Sequence, residues 1–152
     1  MGLRGDQAAA YFMKGYNCAQ STAAPFADLA GLSEESMLRM ASGFGAGIGR
    51  LREVCGTVNG AVLILSLLYG STDPQDKTAI YTHVQDFAGR FRSANGYDTL
   101  ICCQLLGLEQ AEGDPTASAR TERYYESRPC LTLVRLAADL LEEYIRQHPY
   151  HD

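Results

Sequence analysis

Apolar residues recur every three or four positions through most of the chain, and Gly, Pro, Asn and Ser separate the segments in which they do so. This period is typical of amphipathic helices. The predicted helices cover residues 6–14, 18–30, 33–42, 54–69, 73–94 and 98–106, and a last helix starts near residue 130. We therefore predict an all-α fold, a compact multi-helix bundle in which residues 1–152 form a single domain.

The segment from Val54 to Tyr69 is apolar on almost every side, which predicts a helix at the centre of the bundle. Gly56 and Gly60 lie four residues apart in it, so another helix or a cluster can approach that side closely. The longest apolar run, Ala61–Leu68, contains a serine and is far shorter than the roughly 20 residues of a membrane-spanning helix. No membrane span is predicted.

Local signals indicate where the helices begin and end. Asn17 is a favourable N-cap for a helix that starts at Cys18, and Pro25 is expected to interrupt that helix. Residues 109–118 are polar and give no clear prediction, and the tail from His148 is expected to be frayed. The expected buried face of the last helix consists of Leu133, Leu136, Ala137, Leu140 and Tyr144.

Composition and charge narrow the class of protein. Hydrophobic residues make up 46% of the chain and charged residues 20%, as in an ordinary globular domain. The net charge of −5 argues against binding to nucleic acid or to an anionic membrane surface, although Arg50 and Arg52 could still bind a small anion. The polar start of the chain lacks the apolar region of a signal peptide, so we expect a cytoplasmic protein.

The five cysteines carry the candidate chemistry. Cys18, Cys55 and Cys130 lie at predicted helix starts, and Cys102 lies about one turn into its helix, beside Cys103. Helix starts favour the thiolate, which is both the nucleophile and the metal ligand. If the helix starts converge, these four thiols form a redox or metal–sulfur centre. The alternative is that each cysteine is only a small buried hydrophobic residue.

Glycines at alternate positions from Gly43 to Gly49 form a second candidate feature. The spacing fits neither a dinucleotide fingerprint nor a Walker loop, so no nucleotide is expected. Such a run permits positive φ angles and a close approach of the backbone, so its amides could surround something small and negative. Gly45 and Gly47, with Gly56, are therefore candidate cofactor-binding residues. The alternative is a flexible or tightly packed turn.

Four stretches carry a family resemblance: Gly15-Tyr16-Asn17-Cys18-Ala19-Gln20, Ser42-Gly43-Phe44-Gly45-Ala46-Gly47-Ile48-Gly49-Arg50, Cys55-Gly56-Thr57-Val58-Asn59-Gly60-Ala61 and Cys102-Cys103-Gln104-Leu105-Leu106-Gly107. Together they resemble the C_GCAxxG_C_C family of redox-active proteins. The resemblance implies a small helical redox or metal protein whose four family cysteines are Cys18, Cys55, Cys102 and Cys130. Thr57 stands where the family pattern C-G-A-x-x-G has Ala, and Cys103 is an extra whose role is open.

The first functional hypothesis is a four-cysteine centre for electron transfer or sensing, with an iron–sulfur cluster as cofactor. Zinc is less favoured because close ligand pairs are missing, and haem is not expected because there is no C-x-x-C-H. The alternatives are a metal-free thiol–disulfide oxidoreductase or sensor, with Cys18 and Cys55 as candidate nucleophiles, and a helical interaction module with incidental thiols. The sequence does not name the redox partner, and it leaves a homo-oligomer open.

Overall fold

Helices make up most of the chain in the computed structural model, which describes residues 2–108 and 114–150. Their order is α1 (Leu3–Met13), α2 (Cys18–Ala23), α3 (Glu34–Ala41), α4 (Gly45–Ile48), α5 (Gly56–Tyr69), α6 (Lys77–Ala94), α7 (Cys102–Leu105), α8 (Glu122–Ser127) and α9 (Cys130–Gln147), with 3₁₀ turns at Ala24–Phe26, Ser42–Phe44 and Pro74–Asp76. Within these described ranges, extended pairing is limited to one antiparallel bridge between Val54 and Ile101. The predicted all-α class is confirmed.

Helix α5 lies at the centre of the bundle, as its apolar sequence predicts. It packs against α2, α6 and α9, and Ile64 and Leu65 are fully buried on it. Gly60 allows the close approach of α2, because a Cβ atom there would lie 2.6 Å from the carbonyl oxygen of Ala19. In the part of the chain that the structure describes, no helix is long and apolar enough to cross a membrane.

The buried face of α9 differs from the predicted one. Leu136 and Leu140 are only half-buried, and Val134, Ala138 and Leu141 are buried instead. The face is rotated because α9 packs along α1, where small residues on both helices allow a close approach. The rotation matters for the site, because it fixes the direction from which the first turn of α9 enters the bundle.

Two helix boundaries follow their local signals. The side chain of Asn17 accepts a hydrogen bond from the amide of Gln20 at 2.9 Å, and the side chain of Gln20 accepts one from the amide of Asn17 at 3.0 Å. This reciprocal cap starts α2 at Cys18. Pro25 interrupts the predicted helix as expected, because α2 ends at Ala23 and a 3₁₀ turn follows.

The predicted helix over residues 98–106 is wrong in its first half, because it begins only at Cys102. The side chain of Asn95 holds the preceding segment in a turn by accepting hydrogen bonds from the amides of Tyr97 and Asp98. Ile101 is then extended and pairs with Val54, so the first helical residue is set by this pairing and not by periodicity. Helix α8 was not predicted at all.

The tail is better ordered than predicted up to Tyr150. The hydroxyl of Tyr69 donates a hydrogen bond to the carbonyl of His148 at 2.7 Å, and the ring of His148 stacks on that of Tyr144. These contacts tie the end of α9 to α5, so the expectation of fraying is wrong for residues 148–150. His151 and Asp152 lie outside the described residues, as do residues 109–113 of the polar segment.

Candidate functional site

Cys18, Cys55, Cys102 and Cys130 line one cavity of about 410 Å³, although they come from distant parts of the chain. Three of them are the first residues of α2, α7 and α9, and Cys55 is the N-cap of α5. The predicted placement at helix starts is therefore confirmed, and Cys102 begins its helix instead of lying one turn inside it. Cys103 is not among the described lining residues, and its thiol donates to the carbonyl of Leu108 at 3.1 Å.

The thiols lie at two depths in the cavity. Cys55 and Cys102 are buried, while Cys18 and Cys130 are half-buried. Exposed residues also line the cavity, among them Gly15, Ser42, Gly49, Pro115 and Ala117. The cavity therefore opens to solvent, with two thiols at its inner end and two nearer to the opening.

The glycine segment is folded into a left-handed turn next to these thiols. Residues 46–50 all have positive φ angles. The angle is 71° at Gly47 and 57° at Gly49, and it lies between 56° and 67° at Ala46, Ile48 and Arg50. The run thus adopts the positive φ angles that glycine permits at Gly47 and Gly49, whereas Gly45 has a φ of −69°. Left-handed conformations cost non-glycine residues about 1–2 kcal/mol each, so surrounding contacts must hold this turn in place.

The left-handed turn contacts two of the four cysteines. The amide of Ala46 donates a hydrogen bond to Cys18 Sγ at 3.4 Å. Gly47 lies against the other cysteine, because a Cβ atom there would be 2.7 Å from the Cβ of Cys102. One backbone amide of the turn therefore points at a sulfur, and the turn also brings two cysteine-bearing elements together.

Arg52 follows the turn and reaches the inner thiol. Its guanidinium donates a hydrogen bond to Cys102 Sγ at 3.6 Å, and only 3% of the residue is exposed. Backbone bonds fix the two partners, because the amide of Cys102 donates to the carbonyl of Glu53 at 2.6 Å and that of Cys103 to the carbonyl of Arg52 at 3.1 Å. A buried positive charge thus lies beside a thiol that could become negative.

Two further arginines line the cavity, and no motif in the sequence singles them out. Arg120 and Arg128 both lie over the ring of Tyr124, at 5.0 and 4.7 Å from its centroid. All three residues belong to the part of the chain in which no helix was predicted, and the described residues there form only the short helix α8. The local signal in this segment is Thr121, whose side chain caps the start of α8. Recognising this cap would have predicted the helix that carries Tyr124.

Comparison with known protein families identifies this arrangement of residues. A family model with the description "Putative redox-active protein (C_GCAxxG_C_C)" matches residues 16–144, which include all four cysteines of the cavity and the left-handed turn. The chain belongs to the C_GCAxxG_C_C family. No curated protein and no solved structure gives a significant match to it.

The glycines of the motif that gives the C_GCAxxG_C_C family its name have packing roles in this member. A Cβ atom at Gly56 would overlap Cys18 Sγ, and Gly60 lies against the backbone of Ala19. Gly45 lies against the N-cap, because a Cβ atom there would be 2.6 Å from the Cβ of Asn17. These glycines therefore let α2 approach both α5 and the glycine segment closely, whatever the C_GCAxxG_C_C site binds.

Burial is the main influence on the thiols of this C_GCAxxG_C_C site. It raises the pKa of Cys55 far above its usual range, and the neighbouring Cys18 raises that pKa further. Burial also raises the pKa of Cys130 to about 12, and the charges of Arg128 and Arg52 oppose this only in part. The pKa of Cys102 is raised by burial as well, although the hydrogen bond and charge of Arg52 act to lower it. These three thiols are therefore protonated near neutral pH.

The donor atoms can be compared with what different metal centres need. A single zinc ion needs ligand atoms that converge on one point, about 2.0–2.3 Å away. Among the described residues of this C_GCAxxG_C_C protein, no group of three or more His, Cys, Asp or Glu side chains converges in this way. The irons of an iron–sulfur cluster are separate, so its cysteine ligands surround a volume. Four thiols around one cavity fit that requirement in number and chemical type.

Proposed function

We propose that Cys18, Cys55, Cys102 and Cys130 act together as the redox centre of this protein and hold an iron–sulfur cluster that serves electron transfer or redox sensing. The observation that carries the proposal is that four thiols from four separate helix starts line one cavity. The proposal includes a redox partner and a cytoplasmic location, both expected from the sequence alone.

The protonation of the thiols supports a metal centre over free thiolates. Thiols whose pKa is raised by burial, as at Cys55 and Cys130, are poor nucleophiles at neutral pH, because only the thiolate attacks. Metal ions deprotonate the thiols that coordinate them, and binding then releases protons. Burial that disfavours thiol chemistry is therefore compatible with thiolate ligation.

Hydrogen-bond donors around the sulfurs would stabilise negative charge on them. The guanidinium of Arg52 donates to Cys102, and the amide of Ala46 donates to Cys18. Such hydrogen bonds stabilise sulfur that carries charge, and in iron–sulfur proteins they also tune the reduction potential. When bound, an iron–sulfur cluster supplies reversible one-electron transfer.

The test is a series of single Cys→Ser variants, reconstituted with iron and sulfide without oxygen. A cluster needs several thiolates at once, so substitution at Cys18, Cys55, Cys102 or Cys130 should lower bound iron and visible absorbance. Cys103→Ser is the matched control. Cys103 is the immediate neighbour of Cys102, but its thiol donates a hydrogen bond to the carbonyl of Leu108. Equal iron content in all five variants, or wild-type protein that binds no iron, would sink the cluster.

A metal-free dithiol is the second candidate, and one contact favours it. Cys18 is half-buried near the opening and packs against Gly56, directly after Cys55 along the chain. A disulfide mechanism needs an accessible thiol beside a resolving one. In that case two of the Cys→Ser variants would abolish disulfide formation and the others would spare it, while none of the proteins would hold iron.

A further inference from the structure

The wall of the cavity carries positive charge beside the thiols. Among the described residues that line it, four are arginines, Arg50, Arg52, Arg120 and Arg128, and none is Asp or Glu. The volume of about 410 Å³ falls within the range of about 300–1,000 Å³ that is usual for small-molecule sites. Arg120 and Arg128 differ in what their N–H groups contact, and this difference favours Arg128 as the arginine that binds a ligand.

Arg120 is committed to the fold. It donates to the carbonyls of Phe12 and Tyr16, at 2.7 and 2.8 Å, and its guanidinium lies 4.0 Å from the centroid of the Phe12 ring. These bonds connect the end of α1 to the segment before α8. Arg120 therefore positions the cavity wall, with two N–H groups bonded to backbone carbonyls and a longer hydrogen bond of 3.4 Å to the hydroxyl of Tyr125.

Arg128 has the opposite character. Its guanidinium lies over the ring of Tyr124, 4.7 Å from the centroid, and it donates a long hydrogen bond to Ser118 Oγ at 3.4 Å. Stacking uses the face of a guanidinium and leaves the N–H groups at its edge able to bind carboxylate or phosphate with two parallel bonds. The aromatic ring thus holds the group in one orientation.

Arg128 is also close to the redox centre. Arg128 lies two positions before Cys130 in the chain, and both residues line the cavity together with Cys102. Arg52 lines it as well, with its guanidinium hydrogen-bonded to Cys102. An anion bound at Arg128 would therefore lie in the same cavity as the thiols of Cys130 and Cys102.

We propose that Arg128 anchors a small oxyanion, a carboxylate or a phosphate-type group, in this cavity, and that the substrate of the redox centre carries such a group. The second part rests on the proposed function, while the binding of the oxyanion does not. Tyr124 positions Arg128 by stacking. The substrate class is thus a small anion and not a neutral or cationic molecule.

The experiment uses the full chain, reduced and free of metal, so that its result does not depend on a cluster. Inorganic phosphate and acetate are titrated by calorimetry at constant ionic strength, and iodoacetamide alkylation of each cysteine is followed by peptide mass spectrometry. Wild-type protein should bind at least one of the two anions saturably. The bound anion should slow alkylation of Cys130 and leave that of Cys103, which is bonded to Leu108, unchanged.

Arg128→Gln should lower the affinity at least tenfold and remove the protection of Cys130. Arg123→Gln is the matched control, because Arg123 is an exposed arginine on α8, five positions before Arg128. Arg128→Lys keeps the charge but not the planar guanidinium, so it should bind the anion at least threefold more weakly than wild type. If Arg128→Gln does not fold, Arg128→Lys takes its place in the test.

Two results would overturn the proposal: wild-type protein that binds neither phosphate nor acetate, or an Arg128 variant that binds as tightly as Arg123→Gln. Preference for phosphate over acetate would assign the site to a tetrahedral dianion, and the reverse preference to a carboxylate. Either preference supports the site. Phosphate or acetate binding that persists in a Cys→Ser variant without iron would separate this proposal from the cluster.

Discussion

At the scale of single residues, two glycines of the site pack directly against cysteines. Gly56 faces Cys18 Sγ without room for a methyl group, and Gly47 similarly faces the Cβ of Cys102. The absence of a side chain at these positions sets how near one cysteine-bearing element comes to the next. Glycine thus contributes to the thiol site by its size, and at Gly47 also by its positive φ of 71°.

Gly56→Ala should destabilise the protein by about 1–3 kcal/mol, because the added methyl group overlaps Cys18 Sγ and forces α2 away from α5. Urea unfolding of reduced protein measures the effect. Gly89→Ala is the control, since Gly89 lies within α6 with nothing within 4 Å of a Cβ atom. That change should stabilise the protein by about 0.5–1 kcal/mol. Loss of stability in both variants would contradict the packing argument.

Residue-scale predictions succeeded where the signal was local. Asn17 could be recognised as the N-cap of Cys18 because the residues that satisfy a cap are adjacent in sequence. Arg128 could not be recognised, because its environment consists of Tyr124 on a short helix and of thiols from distant segments. The spacing of apolar residues along the sequence indicates which side of a helix is buried. It gives no information about contacts between distant segments.

At the scale of elements, the left-handed turn is the least regular part of the described chain. Its five consecutive positive φ angles include Ala46, Ile48 and Arg50, which gain nothing from this conformation on their own. The glycine pattern predicted some positive φ angles but not their extent, because a local propensity does not reveal that neighbouring residues are forced into the same turn. The start of α7 was missed for a related reason, since the bridge between Val54 and Ile101 sets it.

Gly49→Ala should destabilise the protein by about 1 kcal/mol, because its φ of 57° is unfavourable for a side chain although the nearest atom, Gly43 O, is 3.9 Å away. Gly43→Ala is the paired control in the same exposed segment, with no atom within 4 Å and no positive φ. It should leave the free energy of unfolding unchanged or slightly raised. Equal effects of the two substitutions in thermal or urea unfolding would argue against a left-handed turn.

At the scale of the whole molecule, the buried thiols couple stability to pH. Burial raises the pKa values of Cys55, Cys102 and Cys130 in the fold, so the folded state keeps protons that the unfolded chain releases. The stability that this provides is complete below the unfolded thiol pKa of about 8.5 and is lost as the pH rises towards the folded values. Tyrosines such as Tyr11 and Tyr69, whose pKa values burial raises to about 12, add a similar loss only above about pH 10.

The metal-free, reduced protein should therefore lose stability between about pH 8.5 and 10, by about 1.4 kcal/mol per pH unit for each buried thiol. Urea unfolding at several pH values measures the slope. Cys55→Ser should reduce it, because one buried thiol is removed. Cys103→Ser is the comparison variant, since Cys103 is not among the described residues that line the cavity. A flat profile in the wild-type protein would show that the thiols are not buried in their neutral form.

The bond between Arg120 and the carbonyl of Phe12 joins residues 108 positions apart along the chain. Protein synthesis runs from the N-terminus, so Phe12 is made long before Arg120. Cys18 and Cys55 are likewise made well before the segment that completes the wall around them. Contacts of such long sequence separation form late in folding. In the growing chain, these two thiols are thus exposed to cellular oxidants and metal ions, and their enclosure awaits the synthesis of α9. The wall around these thiols is consequently complete only after the residues of α9 have been synthesised.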